Sequence, residues 1–342
     1  MIRMKNQIPV LFSLAAVFFA GACATEETVY VNEEAKRYFD AWLSVNHPEA
    51  TPSGLGVYII DELPGSGETI GDADAYLFIE YTVRDLDGNI KETTLEKISQ
   101  QVGTYSRSNY YGPRVFLNNR AATPTGFLEM IKGMRVGGTR TAIVPGWLNV
   151  KADHETADEY LKEESGTAAI YTCKLTGKTD DINKWQIDSL ERYVAKHMGD
   201  VDSTFYGYYY KQIRAPKDSL QIPRDTSFHI NYTGRLLNGQ VFDTTIQDTA
   251  KVHGIYSASK SYAPVQINMS ESHSEITLGS LGVSSGSTLV EGFSYCLSKM
   301  GRNEKGICAF YSPFGYMHHG SGNAIPGYSP ISFEIELVDK AE

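Results

Sequence analysis

Apolar residues recur every three or four positions in two stretches, EEAKRYFDAWLSV from Glu33 and DINKWQIDSLERYVAKHM from Asp181. That spacing predicts two amphipathic helices. After each helix the pattern changes to short β-like runs ending in turns: GLGVYIIDELPGSGE around Tyr58 and FYGYYYKQIRAPKDS around Tyr209. Two hairpins follow, IEYTVRDLDGNIKETT from Ile79 and INYTGRLLNGQVFDTT from Ile230. Further on, GFLEMIKGM (Gly126 to Met134) and GFSYCLSKM (Gly292 to Met300) predict one short helix each. Charged turn residues and the strands RTAIVP and GICAFYSP come next, and the alternating strands AAIYTCKLTG and ISFEIELVD close the two runs.

The markers repeat in order and in spacing. Tyr58 to Tyr81 is 23 positions, as is Tyr209 to Tyr232. The chain is therefore a duplication. Each copy predicts about five short antiparallel strands and one helix, which must bury its apolar side on a sheet face; the fold class is α+β. The expected organisation is a leader over 1–22, a tether and helix over 23–52, a first domain over 53–179, a linker helix over 180–204 and a second domain over 205–342.

Composition narrows the partners. A formal net charge of -10, with no Lys/Arg-rich block, argues against nucleic acid. At the N-terminus, Arg3 and Lys5 precede an apolar run from Ile8 to Phe19, then Ala20, Gly21, Ala22 and Cys23. This reads as a secretory leader, too short to span a bilayer, which needs roughly 20 residues. Cys173, Cys296 and Cys308 lie in apolar patterns without metal-ligand spacing; Cys296 and Cys308 are either a disulfide or buried thiols. His318 and His319 lack the further ligands a metal site needs. No cofactor is called for.

Two resemblances follow from these residues. Cys23 after small residues resembles the lipobox of bacterial lipoproteins, which implies lipidation of Cys23; Glu26 and Glu27 resemble a surface-export signal of Bacteroidetes lipoproteins. INYTGRLLNGQVFDTT, LVEGFSYCLSKM and YSPFGYM…AIPGYSPISFEIEL together resemble an FKBP-type peptidyl-prolyl isomerase domain over roughly 205–340. That resemblance implies two FKBP-like domains, each an antiparallel sheet wrapped on one short helix. It also implies a pocket lined by Tyr232, Phe242, Asp243, Leu289, Val290, Phe293, Tyr316, Ile325 and Phe333. Phe293 is the floor, where the family usually has Trp, and Tyr232, Phe242 and Phe333 are walls. The Tyr316 hydroxyl and a backbone N–H at Leu289/Val290 are implied donors to substrate carbonyls, and Asp243 is expected to bond Tyr232. Such a pocket needs neither nucleophile nor metal. An Xaa-Pro amide is held planar by resonance behind a barrier of about 18–20 kcal/mol. An apolar cavity withholds the water that favours the polar, planar form.

The first copy departs where the pocket should be. Lys91 and Glu92 replace Phe242 and Asp243, no Ile-Pro precedes the closing strand, and the charged stretch PGWLNVKADHETADEYLKEESG replaces the tyrosine loop. Lys91 is expected to carry its charge into the pocket and spoil it. The first domain then becomes a spacer, a dimerisation module or a chaperone-like surface. The stretch between Thr245 and Leu289 reads as a long insertion in the second copy, with Val265 on a pocket-closing strand.

The expected function is isomerisation of Xaa-Pro bonds in exported proteins by an outer-membrane lipoprotein of a Gram-negative envelope, on its periplasmic or surface face. The membrane contact is the lipid anchor, and self-association stays open. The rival readings are a binding or chaperone lipoprotein without turnover and a structural lipoprotein of a surface machine.

Overall fold

The computed structural model describes residues 32–71, 73–162, 164, 166–217, 226–279 and 289–338. Cys23 and the leader lie outside the described residues. The first unit runs α1 (Glu33–Asn46), β1 (Pro52–Ser53), β2 (Val57–Leu63), β3 (Tyr76–Arg84), β4 (Ile90–Thr93), α2 (Glu96–Gln101), β5 (Arg114–Leu117), α3 (Thr125–Ile131), β6 (Thr139–Val144), α4 (Ala157–Tyr160) and β7 (Ala169–Thr179). Helix α5 (Ile182–His197) then leads into β8 (Ser203–Phe205), β9 (Tyr208–Arg214), β10 (Ser227–Leu236), β11 (Val241–Thr244), α6 (Gln247–Val252), β12 (Val265–Asn268), β13 (Thr277–Leu278), α7 (Glu291–Lys299), β14 (Lys305–Phe310) and β15 (Ile331–Val338).

The strand order is β1-β2-β6-β7-β3-β4 with β5 on β3 in the first sheet, and β13-β12-β10-β15-β14-β9-β8 with β11 on β10 in the second. Every pairing is antiparallel, and β2, β6, β7, β3, β4 and β5 correspond one to one with β9, β14, β15, β10, β11 and β12. The fold is thus α+β twice over, each sheet wrapped on one short helix, with α1 and α5 leading. Among the described residues the sheets have seven and eight strands, more than the pattern predicts. The extra ones, such as β1 and β13, are two residues long, too short for alternation to register.

Each core forms where its helix lies on the sheet. Phe127, Met130 and Ile131 of α3 pack with Ile79, Ile143 and Leu175; Phe293, Cys296 and Leu297 of α7 pack with Ile230, Phe310 and Ile335. Cys173, Cys296 and Cys308 are buried free thiols, so the disulfide alternative is not formed. Side chains alternate along β14, so Ala309 faces away from that core. Leu190, Val194 and Met198 of α5 pack against Ala309, closing the sheet's second face. Trp185, at the start of α5, sets its ring 4.4 Å from Phe78 of the first sheet, so α5 touches both domains.

The twin hairpins are pinned alike. Gly88 and Gly239 turn them with φ of 88° and 91°, a region L-residues avoid. Tyr81 N–H donates to Thr94 Oγ1 at 2.8 Å and Tyr232 N–H to Thr245 Oγ1 at 2.9 Å. The hydroxyl pairs Thr82–Thr93 and Thr233–Thr244 lie 2.8 and 3.0 Å apart. The shared Thr-Thr endings therefore serve the hairpin, which explains why both copies keep them.

The stretch after Thr245 is not wholly an insertion. In both copies the hairpin runs into a six-residue helix, α2 or α6, and then into YSRSNYY from Tyr105 or YSASKSY from Tyr256. Tyr105 stacks on Tyr111 at 5.4 Å, and Tyr256 on Tyr262 at 5.3 Å. Ser106 N–H donates to the Tyr111 hydroxyl at 3.1 Å, and Ser257 N–H to that of Tyr262 at 2.9 Å. The segment up to Pro264 is common scaffold; what the second copy adds lies beyond β12.

Candidate active site

A β-bulge sets the site. Gly234 pairs with Asp243 and Arg235 with Val241, leaving Phe242 as the extra residue on β11. A bulge re-aims a side chain, and here the Phe242 ring meets Phe333 edge-on at 5.5 Å. Phe333, on β15, meets Phe293 of α7 edge-on at 4.8 Å, and Tyr232 meets Phe293 at 5.6 Å. Phe310 lies parallel to Phe333 at 6.0 Å. Phe293, Ile325 and Phe333 are only 3–4% exposed, whereas Tyr232, Phe242, Leu289, Val290 and Tyr316 are half-buried against the same cluster. A closed floor with an accessible rim is what a binding pocket requires.

The rim carries the polar groups. The Tyr232 hydroxyl donates to Asp243 Oδ2 at 2.6 Å. Asp243 Oδ1 accepts from Thr244 N–H at 2.9 Å and from Lys260, which forms an ion pair with it. Three donors thus satisfy a carboxylate at an apolar edge, where a bare charge is costly. Burial, then the nearby Asp243 carboxylate, raises the Tyr232 phenol above the ordinary tyrosine value. The same two causes in the same order raise the Tyr316 phenol. Val290 is the N-cap of α7, in extended conformation, and its N–H makes no hydrogen bond among the described residues. Eight of the nine residues expected from the sequence thus belong to one apolar cluster, and Asp243 joins it through Tyr232. Lys260 was not expected; the signal for it was the twice-occurring Tyr-Ser-x-Ser loop. Gly234 is the other residue missed. A Cβ there would come within 2.5 Å of Phe242 Cε2 and 2.7 Å of Phe333 Cε1.

The first copy lacks this arrangement, though not because Lys91 enters a pocket. Lys91 is again the bulged residue, but it turns outward, 60% exposed, to an ion pair with Asp85 at 2.8 Å. That pairing lowers the Asp85 carboxyl to about 2. Burying the ammonium is avoided by turning it to water. Val83 stands at the register position of Gly234, so its side chain takes space that the Phe242 ring fills in the second copy. Phe116, at the position of Ile267, stacks on the floor ring Phe127 at 4.6 Å. Pro124 stands where Val290 is, and proline has no N–H to offer a carbonyl. Thr125 N–H and Oγ1 are bonded to Val150 and Ala152 carbonyls at 2.9 and 2.6 Å, so a loop lies across the start of α3. The charged stretch is anchored there by the fully buried Tyr160, whose hydroxyl donates to Ala152 O at 3.0 Å. Tyr81 still donates to Glu92, the counterpart of the Tyr232–Asp243 bond.

Comparison with known proteins finds a family match within the second copy. Residues 220–338 match the family model described as FKBP-type peptidyl-prolyl cis-trans isomerase. FK506-binding protein 1A of Aspergillus fumigatus is 23% identical over 129 residues, 37% of this chain and 90% of that one. Among solved structures, the three FKBP domains of wheat FKBP73 align with 13% identity over 83% of this chain and 94% of theirs, at a TM-score of 0.29. FkpA from Escherichia coli aligns with 20% identity over 46% of this chain and 62% of its own, at a TM-score of 0.31.

Proposed function

We propose that the second domain binds and isomerises Xaa-Pro peptide bonds, and that the first domain has no such activity. The observation that carries this reading is the box of Tyr232, Phe242, Phe293 and Phe333, with half-buried walls over a buried floor. A proline ring fills such a box without leaving a polar group unpaired. The amide beside it is stripped of the water that favours its planar form, while the Tyr316 hydroxyl and the Val290 N–H hold the flanking carbonyls. The substrate's own resonance is the barrier, so differential binding of the twisted amide suffices. Asp243, fully engaged by Tyr232, Thr244 and Lys260, fixes the Tyr232 wall and is not free to act as a base.

The substrates are proposed to be exported or envelope proteins, and the chain a lipoprotein anchored through Cys23 at the outer membrane; the support is Arg3, Lys5, the apolar run and the small residues before Cys23. Cell fractionation with and without Cys23→Ser tests the anchor: release of the variant from membranes is expected. Isomerisation of a short Xaa-Pro peptide by the chain and by Tyr316→Phe tests the chemistry. Losing one donor is expected to lower kcat/KM about 3- to 30-fold. No turnover by the folded wild-type chain would replace the reading with one of binding alone.

A further inference from the structure

The Tyr-Ser-x-Ser loop points inward in one copy and outward in the other. In the second domain it delivers Lys260 to Asp243 of its own site. In the first domain Asn109 stands at that position, and the loop reaches across to the second domain instead. The Asn109 carbonyl accepts from Gln240 Nε2 at 3.0 Å, and Tyr110 N–H donates to the Asn323 carbonyl at 2.8 Å. The Tyr110 side chain packs against the second domain's core cluster. Arg107 lies over Gly254 so closely that a Cβ there would be 2.3 Å from Arg107 Cδ. A second tie, Tyr76 edge-on to Tyr328 at 5.4 Å, holds the far end of the same region.

The three landing points are not scattered. Gln240 ends the turn that leads to Phe242 and Asp243. Gly254 opens the loop that carries Lys260. Asn323 lies between Tyr316 and Ile325 on the segment that supplies both. Lys91, Glu92 and Arg114 now line a cavity of about 190 Å³ with Asn323 of the second domain at its edge.

We infer that the first domain's loop from Tyr105 to Gly112 is a clamp that positions the second domain's site, with Arg107, Asn109 and Tyr110 as its positioning residues. The inference rests on the proposed peptide site but is read out separately from it. Loops are the mobile parts of a fold, and ordering them before substrate arrives removes that cost from binding. The duplicated copy thus keeps a function after losing its pocket: it preorganises its twin.

The test compares the full chain with Arg107→Ala/Tyr110→Ala and with Gln240→Ala, which deletes a single bond on the second domain's side. Amide hydrogen exchange over 316–328 and 236–243 reports the clamp directly, whether or not the chain catalyses. Exchange in those segments is expected to speed up about tenfold or more in the double variant, with β10 and β15 unchanged. For an Xaa-Pro peptide, KM is expected to rise roughly 3- to 10-fold with kcat within about twofold, Gln240→Ala showing a smaller change in the same direction. Unchanged exchange in both segments would overturn the clamp. Faster exchange with unaltered peptide KM would overturn its positioning role, leaving a purely structural contact. If the double variant unfolds, Gln240→Ala decides by the same two readouts.

Discussion

The Phe242 ring lies against Gly234, where a Cβ would come within 2.5 Å of it. Gly234 and Phe242 are therefore one feature: the glycine leaves the space and the bulge fills it. The first copy has neither, Val83 standing at the glycine position and Lys91 at that of the ring. Gly234→Val is expected to reproduce that retirement. Overpacking costs about 1–3 kcal/mol, read as a fall in denaturant midpoint. Displacing the wall ring is expected to lower kcat/KM at least about tenfold, in a chain that still folds.

The Tyr232–Asp243 bond gives a second prediction. Tyr232→Phe removes one of three donors to the carboxylate, and a hydrogen bond to a charged group is worth about 1.5–3 kcal/mol. Asp243 is partly exposed and keeps Lys260 and Thr244, so the lower end applies. Urea unfolding of wild type and variant checks it; Tyr81→Phe should behave similarly in the first domain, where Glu92 accepts the matching bond.

Stability should also respond to alkali. Burial raises Tyr81, Tyr210, Tyr232 and Tyr316 above their unfolded value near 10. The folded state then holds protons that the unfolded state gives up, so the contribution of these phenols to stability is constant below about pH 10 and falls as pH rises beyond it. Tyr232→Phe removes one such proton. The slope of unfolding free energy above pH 10 should become shallower by up to about 1.4 kcal/mol per pH unit. An unchanged slope would show that the phenol is not perturbed.

Helix α5 is expected to couple the domains. Leu190 is fully buried on the second sheet and Trp185 packs on the first. Leu190→Ala should destabilise the second domain by about 2–5 kcal/mol. Trp185→Ala should leave each domain's own stability nearly unchanged while loosening the contact with Phe78. Calorimetry resolves the two effects as a shifted transition in one case and separated transitions in the other.

Much of the fold was legible because the chain says it twice. Two hairpins with the same Tyr, Gly and Thr-Thr spacing give strand pairing and the order of elements, and helical spacing gives α1 and α5. The expected residues lie in or against one apolar cluster because the motif fixes backbone register, and register fixes facing. Lys91 was misread for a physical reason: its identity is in the sequence, but the rotation of a bulged residue is set by what occupies the opposite strand. The relevant signal was Val83, a β-branched residue where the other hairpin has glycine. Pro124 was equally visible and equally informative, since it deletes a donor. The Tyr-Ser-x-Ser loop was hidden inside an apparent insertion because its spacing, unlike its apolar pattern, carries the likeness. The contacts of Tyr110 with Asn323 are between domains, and no local pattern encodes them.

On the proposed reading one copy is catalytic and its twin is not. The most direct test is the cis-to-trans rate of a short Xaa-Pro peptide with the full chain, with Phe242→Ala and with Lys91→Ala, at equal concentrations of folded protein. The account predicts acceleration by wild type, the same acceleration by Lys91→Ala, and a rate near the uncatalysed one for Phe242→Ala. Acceleration that survives Phe242→Ala intact would place the activity outside this pocket and contradict the account.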